Sequence, residues 1–361
     1  MAIDIPSLAI AYFSVFGIFS ILAISLNLEY GYGGQPNFGQ VLFYGVGAFT
    51  AGIVSAILVR VFTGLTAGGD ICSTSYGIQR NAIFVTNGPL TISIWFIAVV
   101  AAIGVGAFAG LVAAYPALRV KEEWYLGMVL LVGGELFRIV ARNTNPYFCS
   151  FNGLAGIREP FAFLDLTHSP VVSTGLYTIL IIALAIGCYF IAERISSSPF
   201  GRLLKSVRDD RVAAEAMGKD IDNVRRQVLV IGSAMAGLAG ALYVFFIGVA
   251  IADDYISGVT FLLFVMIVLG GIGNNKGVFV GVALLTLLQR GTQILGIQLQ
   301  SIYPGFDSNL LVYLSYMVEA AILLFLLIYR PKGVIPEGRV KTKAYTLFDF
   351  GGASKTEQPD E

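Results

Sequence analysis

Nine apolar runs, separated by short polar or glycine-rich stretches, set the rhythm of this chain. They fall at about residues 8 to 28, 39 to 59, 90 to 118, 124 to 141, 174 to 193, 227 to 250, 259 to 272, 277 to 296 and 308 to 329. Most reach the ~20 residues a helix needs to cross the ~30 Å hydrocarbon core of a bilayer. The seventh is short for a full crossing, so a re-entrant or broken segment is expected there. The alternating ten-residue pattern of a transmembrane barrel is missing. The pattern therefore predicts an all-α polytopic helical membrane bundle, about 8 to 10 transmembrane or re-entrant segments, in one domain over residues 1–361.

Composition changes little in that picture. At 56% hydrophobic and 13% charged residues, the chain is too apolar for a soluble globular domain. Its formal net charge of zero gives no reason to expect a nucleic-acid partner. The distribution of charge is more informative: alternating the segments backwards from an inner C-terminus leaves 17 Lys/Arg on one side and 4 on the other. By the positive-inside rule this predicts a multi-pass protein of the cell membrane, with an outside N-terminus and a cytoplasmic C-terminus. The loop 194–226 and the polar tail 331–361 are then cytoplasmic. No cleavable leader is expected, because residues 1–28 lack a basic start and run on into further membrane segments.

Cys72 and Cys149 lie in the loops 60–89 and 142–173, both on the outer side. A disulfide between them can form if that compartment is oxidising, while two unrelated small residues is the plainer account. Cys188 lies in an apolar run and suits packing. With one histidine, His168, and no metal-ligand spacing among the cysteines, no metal site is expected.

Several motifs carry candidate chemistry. The cluster Gly31, Gly33, Gly34, Pro36 breaks any helix, and Asn37 is placed to cap the next one. A broken helix at membrane depth lines protein or a watery cavity, which makes Gln35, Asn37 and Gln40 candidates for a translocation pathway. A satisfied turn at the inner boundary is the plainer account. Glu135 and Arg138 share one helix face, where they either neutralise each other or help pass a zwitterion. Glu319, in the last run, has no charged neighbour at helical spacing. The run Gly270 to Gly277 lacks the G-x-x-x-x-G-K-[ST] spacing, as does Gly351 to Thr356, so a tight turn is expected at the first and no nucleotide-hydrolysing loop at either.

The loop 194–226 is the most specific feature. Ser198 and Pro199 open a short helix whose Leu203, Leu204 and Val207 form an apolar stripe opposite Arg202, Lys205 and Arg208. A second short helix follows, with Val212, Ala213, Ala216 and Met217 apolar and Gly218 as its stop. Such a basic amphipathic pair suits the anionic inner leaflet. Its small residues Ala213, Ala214, Ala216 and Gly218 suit docking into a protein groove instead.

The ordered set Gly33 to Gln40, Leu118-Arg119-Val120, Ser198 to Arg202, Val207-Arg208-Asp209, Ala213 to Gly218, Gly237 to Leu242, Val268 to Gly273 and Arg330 to Gly333 resembles the permease subunits of branched-chain amino acid ABC importers. The likeness is closer to the LivM type than to its LivH partner and covers nearly the whole chain. It implies a non-enzymatic permease. Arg208, Asp209, Ala213, Glu215, Ala216 and Gly218 would form its coupling element toward ATP-binding subunits. It also implies a LivH-type second permease, two ATPases that hold ATP and Mg, and an extracytoplasmic substrate-binding protein. The chain itself needs no cofactor. The loop from Gly64 to Pro89 is long for the family, and Gln40 stands where many relatives have His. Urea, short amides or a sugar are alternative cargoes in the same superfamily. A self-contained secondary transporter, using Glu135, Arg138 and Glu319 as a relay, is the rival of a different class.

Overall fold

A computed structural model describes residues 5–64, 71–118, 123–145, 147–166, 169–302, 308–329 and 333–338. The expectations placed on His168, Arg119, residues 330–332 and the tail from 339 onward lie outside these residues, as does the side chain of Glu319.

Each of the nine apolar runs forms a helix. Among the described residues eight helices are long and apolar enough to cross a membrane. In chain order the helices are α1 (Ile5–Leu26), α2 (Gln40–Thr63), α3 (Thr74–Thr86), α4 (Gly88–Leu118), α5 (Glu123–Asn143) and α6 (Pro170–Ser197). They continue with α7 (Pro199–Asp209), α8 (Arg211–Ala216), α9 (Ile221–Ile247), α10 (Ser257–Gly270), α11 (Asn275–Ile302) and α12 (Ser308–Tyr329), the last matching the ninth run. α10, the seventh run, has only 14 residues and reaches span length with the 3-10 turn Ala252–Asp254 before it. At 1.5 Å per residue it covers roughly 21 Å, short of a ~30 Å hydrocarbon core.

The core sits around α9, which is buried over 78% of its most apolar stretch. Lipid offers no hydrophobic drive between helices, so association relies on close packing of small residues. The stretch Gly232 to Ala241 supplies them. A Cβ added at Gly237 would lie 2.6 Å from the Ala102 carbonyl of α4, and one at Gly240 would lie 2.7 Å from the Ala48 amide of α2. α2 and α4 therefore meet α9 backbone to backbone. α6 joins through Tyr177, whose hydroxyl donates to the Leu242 carbonyl at 3.0 Å, and α1 through the Ser14–Thr178 hydroxyl pair at 2.7 Å.

One end of the bundle carries a cap that the apolar pattern did not foretell. The loop 60–89 contains α3, started by the Ser73 hydroxyl, which accepts from the Tyr76 amide at 3.3 Å. Phe84 of α3 is buried with Val59 and Ile94, pinning it to α2 and α4. Cys72 and Cys149 are bonded, with Cα atoms 5.0 Å apart, so the two loops form one unit. A two-residue antiparallel ladder, β1 (Leu154–Ala155) with β2 (Val249–Ala250), adds the segment after α9. The buried Arg80 guanidinium donates to the carbonyls of Ala155 and Gly156 and lies over the Tyr76 ring. Burial lowers its pKa to about 10.

Gly237→Leu should destabilise the bundle by about 2 kcal/mol or more through overpacking. Gly187→Leu, where an added Cβ meets nothing within 4 Å, should leave it unchanged. Thermal stability in detergent, followed by loss of the monodisperse peak, checks the pair.

Candidate functional site

The charged loop folds as predicted into two short helices with defined ends. The Ser198 hydroxyl accepts from the Gly201 amide at 3.2 Å, and Pro199 opens α7. Asp210 closes α7 and caps α8, its carboxylate accepting from the Ala213 amide at 3.0 Å. Gly218 has φ +73°, a left-handed conformation that ends α8 and is costly for other side chains. The apolar stripe of α7 turns inward: Leu204 packs with Val224 and Val228 of α9, and Val207 packs with Ala214 and Ile221.

Ala214 is therefore a seat for α8 and not part of its surface, a correction to the small-residue face read from the sequence. What α8 presents is Val212, 75% exposed, and Met217, 66% exposed, with Ala213, Glu215, Ala216 and Gly218 also exposed. Two large apolar side chains, Val212 and Met217, are thus held outward at α8 and its C-terminal end.

Arg208 is not part of that face. Its guanidinium donates to the Gly31 carbonyl and pairs with Glu337 at 3.0 Å, while Nε donates to Asp209 at 3.2 Å. Lys205 reaches the other oxygen of Glu337 at 2.7 Å. Glu337 belongs to a strap, residues 333–338, laid along the end of α10: the Val334 and Ile335 amides donate to the carbonyls of Leu269 and Gly270, each at 2.9 Å. Asn274 holds the strap by donating to the Pro336 carbonyl at 3.0 Å. Sequence separation hid this arrangement, since nothing local links Glu337 to Lys205.

Arg208 leads to the helix break. After Leu26 the chain makes a turn of π-helix, Asn27–Tyr32, then unwinds through Gly34 at φ +67° before α2 begins. Gln35, Asn37 and Gln40 are all buried. The structure brings two of them together with Glu29, which lay one residue past the predicted first run. Asn37 Nδ2 donates to Glu29 at 2.6 Å and to Gln40 Oε1 at 2.7 Å, and Gln40 donates to the Ser25 hydroxyl. Asn37 Oδ1 accepts from the Gly39 amide at 2.9 Å, the local cap expected of it. Gln35 stands apart from this network, and both its amide atoms lack a hydrogen-bond partner. An acidic residue at the end of an apolar run was the signal available for Glu29.

The break is stitched to the Gly270–Gly277 turn. Asn27 accepts from the Gly273 amide at 3.0 Å and donates to Asn275 at 2.9 Å, and Asn275 donates to Glu193 of α6 at 3.0 Å. α7, the strap, the break and this turn thus meet at one end of the bundle.

Glu135 and Arg138 form a second network. Arg138 pairs with Glu135 at 2.8 Å and with Asp253 at 3.1 Å, and Arg142 reaches Asp253 at 3.2 Å. Glu135 also accepts from the hydroxyl and amide of Ser257, at 2.6 and 3.2 Å, and so caps α10 from another helix. Among the described residues no hydrogen bond or ion pair joins this group to Asn37 and Gln40. Its geometry is a clamp that fixes α5 to the start of α10.

The family described as the permease component of branched-chain amino acid transport systems matches residues 8–327. The chain belongs to that family. Among relatives, the probable branched-chain amino acid transport permease LivM of Methanocaldococcus jannaschii is 33% identical, over 95% of this chain and 96% of its own length. The high-affinity LivM permease of Escherichia coli is 23% identical over 94% of this chain and 72% of its own. The LivH permease of that bacterium is 26% identical over 90% and 92%. No solved structure matches. The candidate site in this family member is a helix pair packed on α9 and tied to a broken first helix.

Glu337→Ala removes both ion pairs that hold α7 to the strap. Because they are half-buried, they are worth about 1 kcal/mol together, and amide hydrogen exchange across 199–209 should accelerate roughly fivefold. Exchange measured by mass spectrometry checks this, with α4 as the unaffected reference.

Proposed function

We propose that the chain is a transmembrane subunit of an ATP-driven importer for branched-chain amino acids. The observation that carries this reading is α8: a short helix capped at both ends, seated on α9, and showing Val212 and Met217 outward, in a chain of the permease family. Its relatives' names specify the cargo, and the likeness to both LivM and LivH supports a heterodimer of two related permeases.

In this reading the Lys/Arg-rich loop 194–226 faces the cytoplasm, the N-terminus lies outside, and the disulfide-linked cap receives a substrate-binding protein. Two partner ATPases hold ATP and Mg and dock on Ala213, Glu215, Ala216 and Gly218, with Val212 and Met217 filling a groove. The exposed Asp209 joins that surface, and Arg208 stands behind it. When the ATPases close, α7 and α8 move as a unit, and Arg208 carries the displacement to the Gly31 carbonyl. The π turn there lies at the break between α1 and α2, where a rearrangement would suit alternating access. Asn37, Gln40 and Gln35 lie in the segment that re-forms, and Glu135 with Arg138 holds α5 on α10 while it does.

Glu215→Lys and Gly218→Arg should each cut ATP-driven leucine uptake roughly tenfold or more, since they place bulk and charge in the docking surface. The measurement is uptake into proteoliposomes holding the permease pair, ATPases and binding protein. Glu215→Lys should insert and fold like the parent, whereas Gly218→Arg also strains the left-handed turn that ends α8. Parental uptake by either would refute the docking assignment, and gradient-driven uptake by this chain alone would refute the importer reading.

A further inference from the structure

A cavity of about 330 Å³ lies between α1, α2, α9, the turn before α10, and α11. Two opposite charges face it, Asp254 and Arg290. The neighbouring Asp253 is engaged by Arg138 and Arg142, so adjacent carboxylates serve different faces of one turn. Among the described residues Asp254 forms no ion pair with Arg290 or with any other cation. Arg290 donates to Gln293 Oε1 at 3.1 Å, which orients the guanidinium and leaves further N–H groups for a ligand.

We propose that this cavity binds an α-amino acid as its zwitterion, the ammonium on Asp254 and the carboxylate on Arg290. The assignment rests on the importer reading above and gives it a substrate site. Ionisable groups within a membrane bundle are expensive and either pair or serve a pathway. Here two unlike charges stay apart across one space, and a dipolar ligand of zero net charge satisfies both at once. The remaining wall mixes apolar side chains with the polar Thr286, Gln289 and Gln293. Val15, Phe19, Ile247 and Val259 offer an apolar surface to an aliphatic side chain, while the Tyr44 and Tyr243 rings, 5.6 Å apart, close the space beside Asp254 and Arg290. The volume stands at the small end of the ~300–1,000 Å³ range of ligand pockets, as one amino acid requires. α11 starts at the inner turn and Arg290 is its sixteenth residue, so the site lies roughly 22 Å along that helix, in the outer half of the span.

The test uses the whole transporter in nanodiscs, without the binding protein, so that the permease's own affinity is read. The ligand is radiolabelled leucine. Asp254→Asn and Arg290→Gln should each weaken binding roughly tenfold or more, the effect of losing a charge-assisted contact. Asp254→Asn should also improve competition by 4-methylpentanoate, which lacks the ammonium, a shift in preference that a merely structural role would not produce. A Val259→Cys variant, made with Cys188→Ser, should be labelled by a small thiol reagent and protected by leucine. If, in proteoliposomes with the binding protein, the parent complex imports leucine with ATP and both charge variants import at the parental rate, and leucine gives no protection in nanodiscs, the site is wrong and the importer reading stands. If the parent complex imports no leucine, both fall.

Discussion

The structure depends on how closely α2 and α4 approach α9. In lipid, apolar surface gains nothing by leaving its surroundings, so helices stay together through dispersion contacts and satisfied polar groups. Those contacts need small residues in register, and Gly237 and Gly240 provide places where α4 and α2 come within backbone contact. The same surface makes room at Gly232 for the carboxylate of Glu29, which an added Cβ there would displace. A dense, nearly featureless helix thus sets where the polar groups of its neighbours can stand.

With that frame fixed, polar groups sort by whether the frame satisfies them. Glu135, Arg138, Asp253 and Ser257 complete one another and hold α5 to α10. Glu29, Asn37, Gln40 and Ser25 are hydrogen-bonded in a chain across the helix break, with Glu29 Oε1 left without a partner. Asp254 and Arg290 are held apart on the walls of a cavity. Bonded clusters give rigidity, and the two charges held without an ion pair are where the proposed ligand would act.

A mechanical line connects the two ends of the bundle. α7 is held by Glu337 from the strap and touches the Gly31 carbonyl through Arg208. The π turn that contains Gly31 continues α1, whose Val15 and Phe19 line the cavity. α11, which carries Arg290, starts at the turn to which Asn27 is bonded. In the proposed coupling, a displacement of α7 would reach two walls of the cavity through elements that are hydrogen-bonded at their ends.

Sequence by itself determined the helices, because each apolar run must satisfy its own backbone in lipid and only a helix does so. It also determined the local ends of α7 and α8, since Ser198, Asp210 and Gly218 act on residues within four positions of themselves. The helix α3 escaped because its face against α2 and α4 is short and polar residues interrupt it. Long-range partners were decided only by tertiary structure. Glu337 with Lys205, Glu29 with Asn37 across a break, the inward turn of Ala214, and Asp254 facing the same space as Arg290 all depend on which helix faces which. The spacing of small residues along α9 permits that choice without announcing it, because a glycine in a sequence does not name the backbone that will lie against it.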